Sequence, residues 1–134
     1  MKTELHIQVK PEHTDELGHL NHIQALAFLE RARTDWYGLC GLWEGGGEDK
    51  LGTIVVNINV NYRKECMLGE NLTVRTRPTS MGIKSFMLAQ EIVRSDGTVV
   101  IDGVTTSVVM DMPTRYIIAV PDCIAKQFPQ PSNP

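Results

Sequence analysis

The residues best able to do chemistry fall in one short run, His13-Thr14-Asp15-Glu16-Leu17-Gly18-His19-Leu20-Asn21-His22. The run is polar, follows Pro11, and leads into an apolar stretch that begins at Ile23. A helix start presents unpaired N–H groups at the positive end of its macrodipole. Such groups can hold a developing oxyanion. A carboxylate set close to them can attack a carbonyl carbon or activate water. Asp15 lies a short loop ahead of those donors, so both can face one carbonyl, an arrangement suited to acyl transfer. The same residue types also serve as plain structural parts. Asp15 can close a turn and Asn21 can cap the helix, and spacing alone favours these roles. His13, His19 and His22 with Asp15 offer N and O ligands that suit zinc, but their spacing matches no metal motif.

The elements that must hold this run are legible from periodicity. Leu5 to Val9 alternates as a short strand, and residues 10–22 form a structured loop. Ile23 to Leu39 is the one long helix. Ala25, Phe28, Leu29, Ala32, Trp36 and Leu39 make one face, widened by Ile23, Leu26 and Ala27. Gly38 and Gly41 are candidate stops, and Gly45-Gly46-Gly47 marks a flexible connection. From Leu51 to Met112 the chain reads as strands. Ile54, Val56, Ile58, Val60 and Tyr62 alternate with Val55, Asn57, Asn59 and Asn61, which predicts one apolar and one mostly polar face. The turns Leu68-Gly69-Glu70, Met81-Gly82 and Ser95-Asp96-Gly97 precede in turn the strands Leu72–Arg77, Lys84–Arg94 and Thr98–Met110. The last two strands carry apolar residues of both parities, such as Phe86 with Met87 and Val108 with Val109, so a second subunit is expected on one face. Residues 120–128 can add a short helix. This order predicts an α+β fold, an antiparallel sheet wrapped around one long helix. Residues 1–128 read as one domain and 129–134 as a loose tail.

Bulk composition narrows the function. With 134 residues the chain can bury a core unaided. A net charge of −3 argues against a broad basic surface for nucleic acid, though not against a local patch for phosphates. Three cysteines, Cys40, Cys66 and Cys123, are too few and too scattered for a disulfide framework. The start, Met1 to His6, lacks an apolar stretch of signal-peptide length, and no run approaches a membrane span. These features place the chain in the cytoplasm.

The run Thr14-Asp15-Glu16-Leu17-Gly18-His19-Leu20-Asn21-His22, followed by Phe28-Leu29-Glu30-Arg31-Ala32-Arg33, resembles the signature of hot-dog-fold acyl-CoA thioesterases, and most of all the 4-hydroxybenzoyl-CoA thioesterase branch. Ile83-Lys84-Ser85-Phe86 and Ile118-Ala119-Val120-Pro121 are similar to later segments of that family, so the likeness spans nearly the whole chain. The resemblance implies a hot-dog fold, hydrolysis of an acyl- or aryl-CoA thioester, and no metal or other cofactor. It implies a homodimer with sites shared between subunits, often doubled to a tetramer. The substrate carrier would be CoA or an acyl carrier protein.

Carried over by position, Asp15 matches the catalytic carboxylate, and the backbone near His22 matches the donor that polarises the thioester carbonyl. His22 stands where many relatives have a second Asn, and its imidazole joins the catalytic candidates. Gly18, Asn21, Arg63, Lys64, Lys84 and Ser85 are the candidates for substrate and CoA binding. Lys84 is favoured among the basic residues, since CoA phosphates call for a modest cationic patch. Glu30 and Arg33 can pair on the helix. Some hot-dog thioesterases place their base on this helix, but with a His-Gly-Gly-like start absent here, so Glu30 reads as structural. Two rivals stay open. A hydratase or dehydratase on the same fold would show Asp-x-Asn-Pro-x-His, whereas Leu17 stands at the Asn position and His19 comes one residue early. A non-catalytic acyl-CoA sensor would not need Asp15 beside the helix start.

Overall fold

The structure, a computed structural model, describes residues 1–42 and 50–129. The expected flexible connection at Gly45-Gly46-Gly47 and the tail from residue 130 lie outside them. The order is β1 (Thr3–Gln8), a single 3-10 turn (Pro11–His13), α1 (His22–Cys40), β2 (Leu51–Tyr62), β3 (Asn71–Met81), β4 (Ser85–Arg94), β5 (Val99–Asp111), β6 (Ile117–Ile118) and α2 (Asp122–Ala125). One antiparallel sheet runs β1-β3-β4-β5-β2, with β6 beside β5. This is the expected α+β hot-dog arrangement. The 3-10 turn and β6 were not expected; both are too short to leave a periodic signal. The tail helix shrinks to the four residues of α2.

α1 forms where its cap and apolar stripe agree. Asn21 Oδ1 accepts the Ile23 amide at 2.8 Å, and Gly41 ends the helix at φ 83° with its N–H on the Gly38 and Tyr37 carbonyls. Gly41 is therefore the stop, while Gly38 sits inside the last turn. The buried face is Ala25, Phe28, Leu29, Ala32, Arg33, Trp36, Tyr37 and Cys40. It is narrower than the sequence pattern suggested: Ile23 and Leu39 are both 61% exposed. Arg33, by contrast, goes inside, and among the described residues it forms no ion pair with Glu30.

The core has two apolar clusters. Phe28, Leu29, Leu72, Val74 and Ile92 belong to the first. Trp36, Phe86, Leu88, Val109 and Phe128 belong to the second. Buried polar residues lie beside them on four elements: Arg33 on α1, Thr76 on β3, Gln90 on β4, and Thr105 and Ser107 on β5. Trp36 is fully buried, and its indole N–H donates to the Met1 carbonyl at 2.9 Å.

β2 departs from simple alternation. Its register against β5 shifts between Val55 and Asn57, so Val56 is a bulge. Val55 pairs with Ser107 and Ile58 with Thr105, both on the helix side, while Ile54 and Asn57 fall on the outer side with Val108 and Thr106. The predicted apolar face is thus split by the bulge: Ile58, Val60 and Tyr62 join Val55 on the inner face, and Ile54 shares the outer face with Asn57, Asn59 and Asn61. Val55, Ile58 and Tyr62 are nonetheless 42–48% exposed, because β2 is an edge that α1 does not cover. The two-sided apolar pattern of β4 and β5 resolves similarly. Phe86 and Val109 are fully buried, whereas Met87 is 36% exposed on the outer face.

Close approach of β5 to β2 needs Gly103. A Cβ there would lie 2.6 Å from the Asn59 carbonyl oxygen and 3.0 Å from Val60 Cγ2. Gly103→Ala must push the two backbones apart beside the cleft described below. The expected loss is about 1–3 kcal/mol of stability, read from urea melts, the usual range for overpacking. An unchanged midpoint would show that the edge strand gives way freely.

Candidate active site

The polar run folds as a small closed loop ahead of α1. Thr14 bridges Leu20, which shuts its neck. Inside, the Asp15 amide donates to the His19 carbonyl at 2.9 Å and the Gly18 amide to the Asp15 carbonyl at 3.1 Å. Asp15 Oδ1 accepts the amides of Leu17 at 2.9 Å and His19 at 3.1 Å. Gly18 takes φ 77°, which a side chain would resist. The loop then docks on the β2–β3 connection, where the Leu20 amide donates to Cys66 O at 2.7 Å and the Leu68 amide to Gly18 O at 3.1 Å.

Asp15 thus does close a turn and Asn21 does cap α1. Neither role removes the chemistry. Both backbone donors to the Asp15 side chain meet Oδ1, and the carboxylate is exposed. The Asn21 side chain takes the Ile23 amide and not that of His22.

Asp15, His19, His22, Tyr62, Arg63 and Lys64 share a cleft of about 320 Å³. Tyr62, at the end of β2, donates its hydroxyl to the His22 carbonyl at 3.2 Å, and its ring meets the His22 ring edge-on at 6.4 Å. Partial desolvation raises the Tyr62 phenol above its ordinary range. Arg63 donates to Asp102 at 2.7 Å, which holds the Asp102 carboxyl below the usual carboxylate range. Cys66 forms part of the floor.

The histidines diverge. The His13 ring accepts the Lys10 amide at 3.0 Å and packs on Phe28. His19 Nε2 lies 3.3 Å from Glu65 Oε2, and His22 faces Tyr62. Lys84 and Ser85 stand elsewhere. Ser85 opens β4, while Ile92, paired with the cleft residue Ile101, lies near its other end. At ~3.3 Å per residue that separation is roughly 23 Å. Within one chain, then, Asp15, His22, Arg63 and Lys64 line one cleft, Gly18 and Asn21 shape its loop, and Lys84 and Ser85 stay apart. Tyr62 and Glu65 are cleft residues that the sequence did not single out. Tyr62 carried a signal only as the aromatic end of an alternating strand next to Arg63-Lys64.

Residues 9–128 match the model of the thioesterase-like superfamily. The chain belongs to that superfamily. It is 33% identical over 115 residues to the long-chain acyl-CoA thioesterase FadM of Escherichia coli K12, spanning 85% of this chain and 87% of that one. The crystal structure of YbaW from Escherichia coli, described as a probable thioesterase, superposes with a TM-score of 0.77 at 31% identity over 92% of this chain and 94% of that one. The fold is also that of SAV2348 from Staphylococcus aureus, solved in complex with CoA, with a TM-score of 0.87 at 18% identity over 100% and 90% of the two chains.

Two nucleophile types in this cleft suit a thioesterase, a carboxylate and a thiol. Burial pushes the Cys66 thiol up to about 11, and the residue is only 3% exposed. At pH 8 a thiol so placed is thiolate in roughly one molecule in a thousand. Cys66→Ala is therefore expected to keep turnover within about threefold of the parent, and iodoacetamide at pH 8 should leave native Cys66 unlabelled. Rapid labelling with matching loss of activity would transfer the nucleophile role to the thiol.

Proposed function

We propose that this chain hydrolyses acyl-CoA thioesters to a free acid and CoA, with Asp15 as nucleophile or general base. The observation that carries the reading is the double tether of Asp15 Oδ1 to the amides of Leu17 and His19. It fixes an exposed carboxylate on a loop that runs directly into the start of α1. The His22 amide, left outside the Asn21 cap, is the oxyanion donor. The tetrahedral oxyanion gathers charge as the C–S bond weakens, and a fixed N–H dipole favours it more than the neutral carbonyl. Tyr62 steadies that turn through the His22 carbonyl, and the His22 imidazole lies within the same cleft. The reaction is supported by membership of the superfamily and by the names of FadM and YbaW. After FadM, long alkyl chains come first in a substrate panel, followed by aryl groups. An acyl carrier protein thioester is the alternative carrier. The hydratase reading meets an exposed Leu17 where its pattern needs Asn.

Asp15→Asn tests the chemistry. The amide oxygen can accept the same two N–H groups, so the loop should hold. Loss of the charge should lower kcat by about 10²–10⁴, the span of general-base and nucleophilic contributions. The readout is CoA thiol release by a folded variant; full turnover would end the assignment.

The reading further takes the active unit as a homodimer. The uncovered inner face of β2, with Val55, Ile58 and Tyr62, and its unpaired edge support pairing with a second copy. The outer face, with Met87 and the half-buried Ala89 and Val104, supports doubling to a tetramer. Residues 1–128 act as one domain in this reading. Three free thiols support the cytoplasm as its compartment, and among the described residues no helix is long and apolar enough to cross a membrane. Arg63 and Lys64 meet the CoA phosphates from the chain that supplies Asp15. Lys84 and Ser85, roughly 23 Å off along β4 by strand rise, are supplied by the partner. Lys84→Ala should then raise KM more than it lowers kcat, and less so at high salt. Mixing Asp15→Asn with Lys84→Ala chains under subunit exchange should restore kcat/KM, because one site per mixed dimer holds both residues. Light scattering that finds a monomer, or no recovery on mixing, would exclude the shared site.

A further inference from the structure

The polar belt beside the two core clusters is unusual in one respect: it is centred on a buried cation. Arg33 is 6% exposed and has no carboxylate at ion-pair distance among the described residues; Glu30 acts on it only at longer range. It donates to Gln90 Oε1 at 3.0 Å and to Thr105 Oγ1 at 3.4 Å. Gln90 Nε2 in turn donates to the Leu29 carbonyl of α1 and to Thr76 Oγ1, both at 3.0 Å. Among the described residues no buried side-chain nitrogen or oxygen is left without a partner. Burial holds the guanidinium below its ordinary range.

Stability does not explain such a choice. Replacing a buried polar group together with its partner by apolar side chains of similar size is often neutral or stabilising. What a polar belt supplies is direction. Apolar contact is non-directional, so a helix held only by two greasy clusters can shift along its axis at small loss of buried area. Hydrogen bonds weaken steeply once their distance and angle are disturbed. The belt grips α1 twice, at the Arg33 side chain and at the Leu29 carbonyl, and reaches three strands of the sheet.

The first turn of α1 lies about 16 Å from Arg33 along the helix axis, at 1.5 Å per residue. A helix transmits axial displacement rigidly over that length. We propose that Arg33, acting through Gln90 and Thr105, is a positioning residue for thioester hydrolysis: it sets the axial and rotational register of α1 on the sheet, and thereby where the His22 amide stands relative to Asp15. The inference rests on the reading of the His22 amide as the oxyanion donor.

Two variants test it, Arg33→Met and the double variant Arg33→Met/Gln90→Met, the second leaving no stranded amide opposite the new methionine. The double variant is expected to fold with a Tm within a few degrees of the parent or above it. Its KM should stay within twofold, and its kcat should fall by about ten- to hundredfold, as small misplacements of reacting groups do. Arg33→Lys, which keeps one or two of the donors, should recover part of the kcat. Parental kcat in a folded double variant would overturn the proposal. So would a loss of activity that merely follows loss of folded protein, or failure of both methionine variants to fold, since Arg33 would then be a stability element. Asp15→Asn in the same assay separates the two levels. An active Asp15→Asn protein defeats the reading of the site itself. An inactive one beside fully active Arg33 variants defeats only the positioning role.

Discussion

One helix has to cover one face of the five strands that run side by side from β1 to β2, and it is too narrow to do so. A helix with its side chains is about 10–12 Å across, whereas five strands at ~4.8 Å spacing span roughly 19 Å. The sheet order sets where the shortfall lands. α1 follows β1 and delivers the chain to β2, at the opposite edge. The helix lies nearest β1 and β3 at its start and reaches β4 and β5 through Trp36 and Tyr37. The middle of β2 is left with an apolar inner face, Val55 and Ile58, and no helix over it. The cleft opens at this uncovered edge, where the end of β2 comes under the start of α1 through the Tyr62–His22 contact.

That geometry decides which residues meet. The loop carrying Asp15 docks on the β2–β3 connection, so Arg63 and Lys64 follow Tyr62 into the cleft directly. Charge is partly balanced there already: Asp102 on β5 takes Arg63, while the His19 ring lies against Glu65. A rim cation held only by an exposed carboxylate suits a polyanionic substrate that must also leave, since exposed ion pairs are worth little and are exchanged readily.

Much of this was legible in the sequence, for identifiable reasons. The span of α1, its Asn21 cap, the Gly69 and Gly97 turns and the succession of elements along the chain all rest on local signals, namely periodicity, caps and positive-φ glycines. What stayed hidden depends on tertiary context. The Val56 bulge exchanges the two faces of β2, and a single strand cannot announce an extra residue that only its partner's register reveals. Ile23 and Leu39 look like core residues by period, yet the buried face passes them by, taking Ala25 and Cys40 beside them instead. Arg33 looks like a solvated partner for Glu30; its burial is dictated by Gln90, 57 residues away. Lys84 and Ser85 look like site residues from the family pattern, yet one chain does not bring them to the cleft.

Asp15 itself shows why a structural and a chemical reading of one residue need not compete. As a cap, its Oδ1 gathers two amides, which fixes the side chain in one rotamer. As a reactant, a carboxylate needs the other oxygen at a defined angle to a carbonyl carbon, and a freely rotating side chain would lose that orientation in entropy. The cap supplies the orientation. It also draws electron density toward Oδ1, which weakens the attacking oxygen slightly, so the arrangement trades intrinsic nucleophilicity for alignment. Freezing one side-chain rotor is itself worth only about 1 kcal/mol; the larger gain, up to ~7–11 kcal/mol in model systems, comes when the thioester is held against the fixed carboxylate as well. A loop that caps itself with the carboxylate proposed to react is therefore a consistent design for an exposed site.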